Sequence, residues 1–163
     1  MQEIRELVTV SMAWAEYIEA RKPKWSESHY NDHKQVMHPG GAVRSRSKEL
    51  TVLGVLASLA TVRLIGMTPE RVEEWAAVEA EKRSTRARLA LRLLKAFLFW
   101  CGSHATYKAI VTTNAAKSKD ARENLGKPKT KDDVLGREQL PAWFAAVKQI
   151  GNPVLVHTCN VCY

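Results

Sequence analysis

Over residues 84–100, apolar side chains return every three or four positions as Leu89, Leu93, Phe97 and Trp100, while Ser84, Arg88, Arg92 and Lys95 fall on a separate stripe. At about 100° per residue an α-helix keeps these two sets apart. Such a helix must bury its leucine face, so the rest of the chain has to supply elements that cover it. Four other segments carry helical signals. Val8, Met12, Ala15 and Ile18, with Trp14 and Tyr17, predict a first helix capped by Thr9 or Ser11 and ending before Pro23. A second begins with Ser26 as N-cap and runs through His29, His33 and Val36 until Pro39-Gly40-Gly41. Thr68-Pro69-Glu70 opens another, with Val72, Trp75 and Val78 facing inward. Residues 137–150 place Leu140, Trp143, Phe144 and Val147 at amphipathic spacing.

The apolar run 50–65 is rich in Leu, Ala and Val, and its length predicts a buried helix. Residues 114–136 are polar and Lys-rich, with Gly126 and Pro128, and predict a linker. The expected fold is all-α.

Charge narrows the function. The 163 residues carry 25 Lys and Arg against 17 Asp and Glu, a formal net charge of +8, which favours an anionic partner. The cations are also segregated. Residues 70–81 hold five Glu and one Arg, whereas residues 82–95 hold six basic residues and no acid. Interspersed solubilising charge would not sort in this way. Residues 1–7 contain Glu3 and Glu6 and lack the order of a secretory signal. The longest uncharged run is too short for the roughly 20 apolar residues of a membrane span. A cytoplasmic protein without a membrane partner is expected. The three cysteines do not form the even framework of a small secreted domain.

The residues that point to DNA lie in three places. Arg83, Ser84, Thr85, Arg86, Arg88, Arg92 and Lys95 gather around one helix start, where hydroxyls and unpaired N–H groups predict a phosphate seat. Lys24, Ser28, His29, Asn31 and Lys34 on the second helix extend the same surface, and Lys127, Lys129 and Lys131 add cations in the linker. Other constellations are weaker. Cys159 and Cys162 have the spacing of a zinc half-site, but four ligands would require Cys101 and His104 from a distant segment. His29 and His33 share a helix face without a third ligand, and read as surface or DNA-facing histidines. No phosphate loop, nucleophile elbow or paired metal motif is present, so no cofactor, metal or small-molecule substrate is expected.

The segment Leu64-Ile65-Gly66-Met67-Thr68-Pro69-Glu70-Arg71-Val72-Glu73-Glu74-Trp75, the helix over residues 84–100, and Val134-Leu135-Gly136-Arg137-Glu138-Gln139-Leu140-Pro141-Ala142-Trp143 occur in an order and spacing that resembles the phage-type tyrosine recombinases, or integrases. The resemblance covers residues 8–150. It implies a four- or five-helix SAM-like core-binding bundle that clamps one side of a DNA duplex through the second helix and the start of the helix at Ser84. The implied organisation is a core-binding domain over residues 1–113, a basic linker over 114–136 and the start of a catalytic domain over 137–163. The family's catalytic Arg, Lys, His, Arg and nucleophilic Tyr lie beyond that first catalytic-domain helix. The chain as given is therefore expected to bind double-stranded DNA, with self-association on it, without being an enzyme. Tyr163 lacks an activating basic set. Asn114-Ala115 stands where the family often has Asn-Pro. A non-enzymatic helical module that meets an acidic protein is the alternative reading.

Overall fold

In the computed structural model, which describes residues 7–44, 48–128 and 135–149, five α-helices carry the architecture: α1 (Val10–Arg21), α2 (Glu27–Val36), α3 (Pro69–Ser103), α4 (Lys119–Leu125) and α5 (Leu140–Gln149). The all-α expectation holds, with no strand beyond isolated bridges among the described residues. The chain divides into two compact units, Met1–Pro128 and Lys129–Tyr163. No helix among the described residues is long and apolar enough to cross a membrane.

The helix starts follow the capping chemistry of the sequence. Thr9 Oγ1 accepts from Met12 N (3.3 Å), Ser26 Oγ from His29 N (3.3 Å) and Thr68 Oγ1 from Arg71 N (3.4 Å). Each satisfies one of the donors that a helix start leaves unpaired. Pro69 occupies the first helical turn, where its missing N–H is no loss.

Around α3 the core of the first unit is assembled. Val72, Trp75, Ala76, Ala87, Ala90, Leu91, Leu93, Leu94, Phe97, Leu98 and Cys101 are all buried along it. From α1, Trp14 lies 5.0 Å from Phe97 between ring centroids, and Tyr17 lies 5.5 Å from Phe97 and 5.3 Å from Trp100. The inward face of α1 carries the expected Trp14 and Tyr17 together with Val10 and Ala13, with Val8 buried just before it and Ile18 packed on the core, whereas Met12 and Ala15 face solvent. Val78, expected inward, is 51% exposed.

Two expectations fail and a third is refined. The run 50–65 is not a helix but a chain of turns with 3₁₀ segments at Ala57–Leu59 and Leu64–Gly66. Its backbone is paired elsewhere: Gly54 N donates to His38 O, Leu56 N to Val36 O, Val10 N to Val62 O and Leu64 N to Val8 O. Gly54 makes this packing feasible, since a Cβ there would sit 2.5 Å from Val36 O. Second, the two helices expected from Thr68 and from Ser84 are both present and run together as the two halves of α3, with Arg83 alone between them, whose φ −160° and ψ 57° are non-helical. Third, the first part of the expected linker is folded. Asn114 caps a 3₁₀ turn (Ala115–Lys117), Ser118 caps α4, and Ala115, Ala116, Ala121 and Leu125 are buried in the core. Small alanines let this segment lie close against α3, an apolar signal masked in the sequence by the surrounding lysines.

In the second unit, a 3₁₀ turn (Arg137–Gln139) leads into α5, with Gln139 Oε1 accepting from Gly136 N at 2.9 Å. Val147 is buried, and Trp143 meets Phe144 edge to face at 5.1 Å.

The second helix holds a buried imidazole. His33 is fully buried against Trp14, Tyr17 and Trp25, the last stacked at 4.0 Å, so it is a core residue and not the surface histidine expected. His29 O lies 2.8 Å from Nδ1, and a carbonyl can only accept, so Nδ1 carries the proton and Nε2 is left buried without a partner. Burial disfavours the imidazolium and holds the pKa of His33 below its ordinary 6.5. The unfolded chain then takes up a proton that the folded one excludes. Stability should be full above pH 6.5 and fall as the pH drops through that value toward the depressed folded pKa. Thermal melts between about pH 8 and 5 should show this loss, and His33→Leu should flatten it. Leu93→Ala, in the core of α3, should destabilise the protein by about 2–5 kcal/mol in denaturant titration.

Candidate nucleic-acid interface

On α2 and its approach, side chains expected to meet DNA are exposed. Lys24, Ser28, His29, Asn31 and Lys34 all face solvent, while His33 and Val36 turn into the core. Ser28 and Asn31 are three residues apart and share one helix face with Lys34 or its neighbour. Tyr30 anchors the edge of this surface: its hydroxyl donates to Glu19 Oε1 (2.9 Å), and Lys22 and Lys34 place their ammonium groups 4.9 and 5.5 Å from its ring centroid. His29 packs edge to face on Trp25 at 4.9 Å. The buried His33 and Val36 set which face of α2 points outward.

On α3 the expected cations divide into two groups. Arg86, Arg92 and Lys95 are exposed and have no ion pair among the described residues. Arg83 and Arg88 are engaged in the fold, which corrects their assignment as free phosphate ligands. Arg83 pairs with Glu79 through Nε (2.7 Å) and Nη2 (3.4 Å), and donates to Leu53 O from Nη1 (2.6 Å) and to Gly54 O from Nη2 (3.5 Å). Glu79 is buried. Arg88 donates from Nη1 to Leu125 O (3.0 Å) and from Nη2 to Thr85 Oγ1 (3.1 Å), tying the end of α4 to α3.

The expected phosphate seat changes as well. Ser84 and Thr85 open the second half of α3 directly after the kink, but Ser84 is half-buried and Thr85 accepts from Arg88. Lys127 is exposed, whereas Lys129 and Lys131 lie outside the described residues.

Two features escape the residue pattern as read above. The Glu79–Arg83 pair is visible as an acid four residues before a base, the favourable order on a helix. Phe99 is 70% exposed, four residues after Lys95 and seven after Arg92, and so prolongs the cationic stripe with an aromatic ring.

No described tyrosine is disposed as a nucleophile. Tyr17 is buried, which pushes its hydroxyl pKa up. Tyr107 is buried and donates to Glu16, and desolvation followed by that carboxylate raises its pKa further. Tyr30 is held by Glu19. Cys101 is buried, its thiol pushed up to about 12 by desolvation. His104 lies 3.8 Å from Glu16 and stacks on Trp100 at 4.3 Å. No group of three or more His, Cys, Asp or Glu is placed to hold a metal among the described residues, and His157, Cys159, Cys162 and Tyr163 lie outside them.

Residues 9–123 match the model of the phage integrase core-binding domain, a span that includes α1 to α3 and most of α4. The chain is also similar to prophage integrase IntF of Escherichia coli (strain K12), 32% identical over 156 residues, which is 90% of this chain and 34% of that protein. It therefore spans about a third of that relative's length. No solved structure matches. Most of the chain, including every element that carries the exposed cations of α2 and α3, is covered by the domain match, and the chain belongs to the phage integrase core-binding domain family.

Proposed function

We propose that this chain grips double-stranded DNA by its backbone phosphates as the binding part of a cytoplasmic site-specific recombinase that integrates phage DNA. Residues 1–128 act as the core-binding domain, and residues 137–163 open the catalytic domain. The observation that carries this reading is the pair of exposed cations Arg92 and Lys95, without an ion pair among the described residues, on the side of α3 away from its buried leucines, with Arg86 exposed near the kink. Lysines 24 and 34 on the α2 side and Lys127 beyond α4 add further charge. Cations on exposed helix faces meet phosphates regardless of sequence, so duplex affinity is set by counterion release. Lys129 and Lys131 add two more cations in the sequence just after Lys127. Copies meet on DNA more readily than in solution, because a net charge of +8 repels like chains until phosphates neutralise it.

The chemical step belongs elsewhere in the parent enzyme. Formation of a phosphotyrosine link needs an accessible tyrosine and cations grouped around the reacting phosphate. The three described tyrosines are tied to packing or to carboxylates.

Fluorescence titration of duplex DNA should give roughly micromolar or weaker affinity at physiological salt, falling steeply as salt rises. Arg92→Ala with Lys95→Ala should weaken binding severalfold and reduce the salt slope by about 0.9 for each phosphate no longer neutralised, with an unchanged thermal midpoint. Absence of binding at low salt would favour an acidic protein partner instead. A suicide DNA substrate incubated with the chain should yield no covalent adduct on a denaturing gel; an adduct lost in Tyr163→Phe would overturn the separation of binding from chemistry.

A further inference from the structure

Within α3, Arg83 is the residue with non-helical dihedrals, and no proline or glycine lies between Pro69 and Gly102 to account for it. Sharp bends in helices otherwise arise where a side chain is drawn into or across the backbone ladder. Here the kink coincides with a side chain drawn away from the helix, the Arg83 guanidinium. It forms a fork on the Glu79 carboxylate and reaches the carbonyls of Leu53 and Gly54, about thirty residues earlier in the chain. Arginine's planar array of donors suits this multiple grip, which a lysine could not reproduce.

The far end of this clasp is itself fixed. Gly54 N donates to His38 O and Leu56 N to Val36 O, both at 2.7 Å, so the 53–56 strip lies on the C-terminal end of α2. Trp75 Nε1 donates to Val55 O at 2.9 Å, which holds the same strip to the first half of α3. One node thus joins α2, the first half of α3 and the kink from which the second half departs. Ser28, His29, Asn31 and Lys34 stand on one side of it, and Arg86, Arg92 and Lys95 on the other.

We infer that Arg83 is a positioning residue: paired with Glu79, it sets the angle between α2 and the cationic half of α3 and so holds two groups of phosphate ligands in register on one duplex. This rests on the proposed DNA-binding function. The side chain of Arg83 is only 22% exposed and that of Glu79 7% exposed, so the positive charge is compensated inside the fold. The lever is long enough to matter. Lys95 lies twelve residues beyond the kink, about 18 Å at 1.5 Å per residue, so a rotation of about 10° displaces it by about 3 Å, the full length of a hydrogen bond.

The test is Glu79→Gln, measured by duplex titration over a series of salt concentrations beside the parent chain. Removing a negative charge would by itself strengthen binding to DNA. Positioning predicts the opposite sign: about tenfold weaker binding and a salt slope reduced by more than the roughly 0.9 of a single phosphate, because several cations lose register together. Arg83→Lys should do the same. Equal or tighter binding by Glu79→Gln, or a slope reduced by only one phosphate in Arg83→Lys, would overturn the inference and make Arg83 idle or a direct phosphate ligand. If either variant melts below the assay temperature, the paired replacement Glu79→Leu with Arg83→Met keeps net charge and apolar volume. It should remain folded and still bind about tenfold more weakly; parental binding would again reject the inference. A parent chain that fails to bind DNA even at low salt would remove the DNA-binding reading and the inference with it, an outcome distinct from a parent that binds and variants that bind equally.

Discussion

The burial of one face of α3 underlies the other features of the first unit. That face presents alanine, leucine and aromatic side chains over some nine turns, too much apolar surface to leave in water. Fully burying each leucine or phenylalanine is favourable by about 1.5–3 kcal/mol. The covering elements are placed by what they contribute: α1 by Trp14 and Tyr17, the 114–125 segment by its alanines and Leu125, and the 53–67 strip by Val55, Leu56, Leu59 and Leu64. Once that face is fixed, Arg92 and Lys95 have nowhere to go but solvent, and this part of the cationic surface follows from the apolar one.

Two buried polar groups refine this arrangement in different ways. Glu79 sits in the core with its charge matched by Arg83, and removal of either partner would strand the other in a medium that solvates ions poorly. His33 makes no ion pair among the described residues, and burial with Nε2 left without a hydrogen-bond partner favours the neutral ring, so the element that carries the α2 surface is made sensitive to acid. Both groups lie where α2 or α3 joins the rest of the core, and both act on the placement of surface cations without touching an outside partner.

The division of the arginines shows why composition overstates a binding surface. Along residues 83–95 the sequence offers an unbroken series of cations, yet Arg83 and Arg88 are used as clasps, one holding the kink and the other holding α4 by the carbonyl of Leu125. A guanidinium with several hydrogen bonds to carbonyls or carboxylate is part of the frame. Of the charges left over, Arg92 and Lys95 lie on one helix face with the exposed Phe99, an aromatic group that periodicity alone assigns no role.

By itself the sequence determined those features that depend on short-range chemistry. Thr9, Ser26 and Thr68 cap helices because their hydroxyls reach a backbone N–H three residues on, and Leu93, Leu94 and Phe97 turn inward because a 3.6-residue repeat leaves them one side. The segregation of charge and the family resemblance were also legible there. Tertiary structure decided the rest. Residues 50–65 forgo helix formation because the free carbonyls at the end of α2 and the strand-like backbone before α1 offer them partners, which no local pattern announces. The two helices expected from Thr68 and Ser84 meet at a kink where Glu79 and the carbonyls of Leu53 and Gly54 converge on Arg83, and only a fold that brings residue 53 to residue 83 can give an expected phosphate ligand these partners and make it the joint that aims the others.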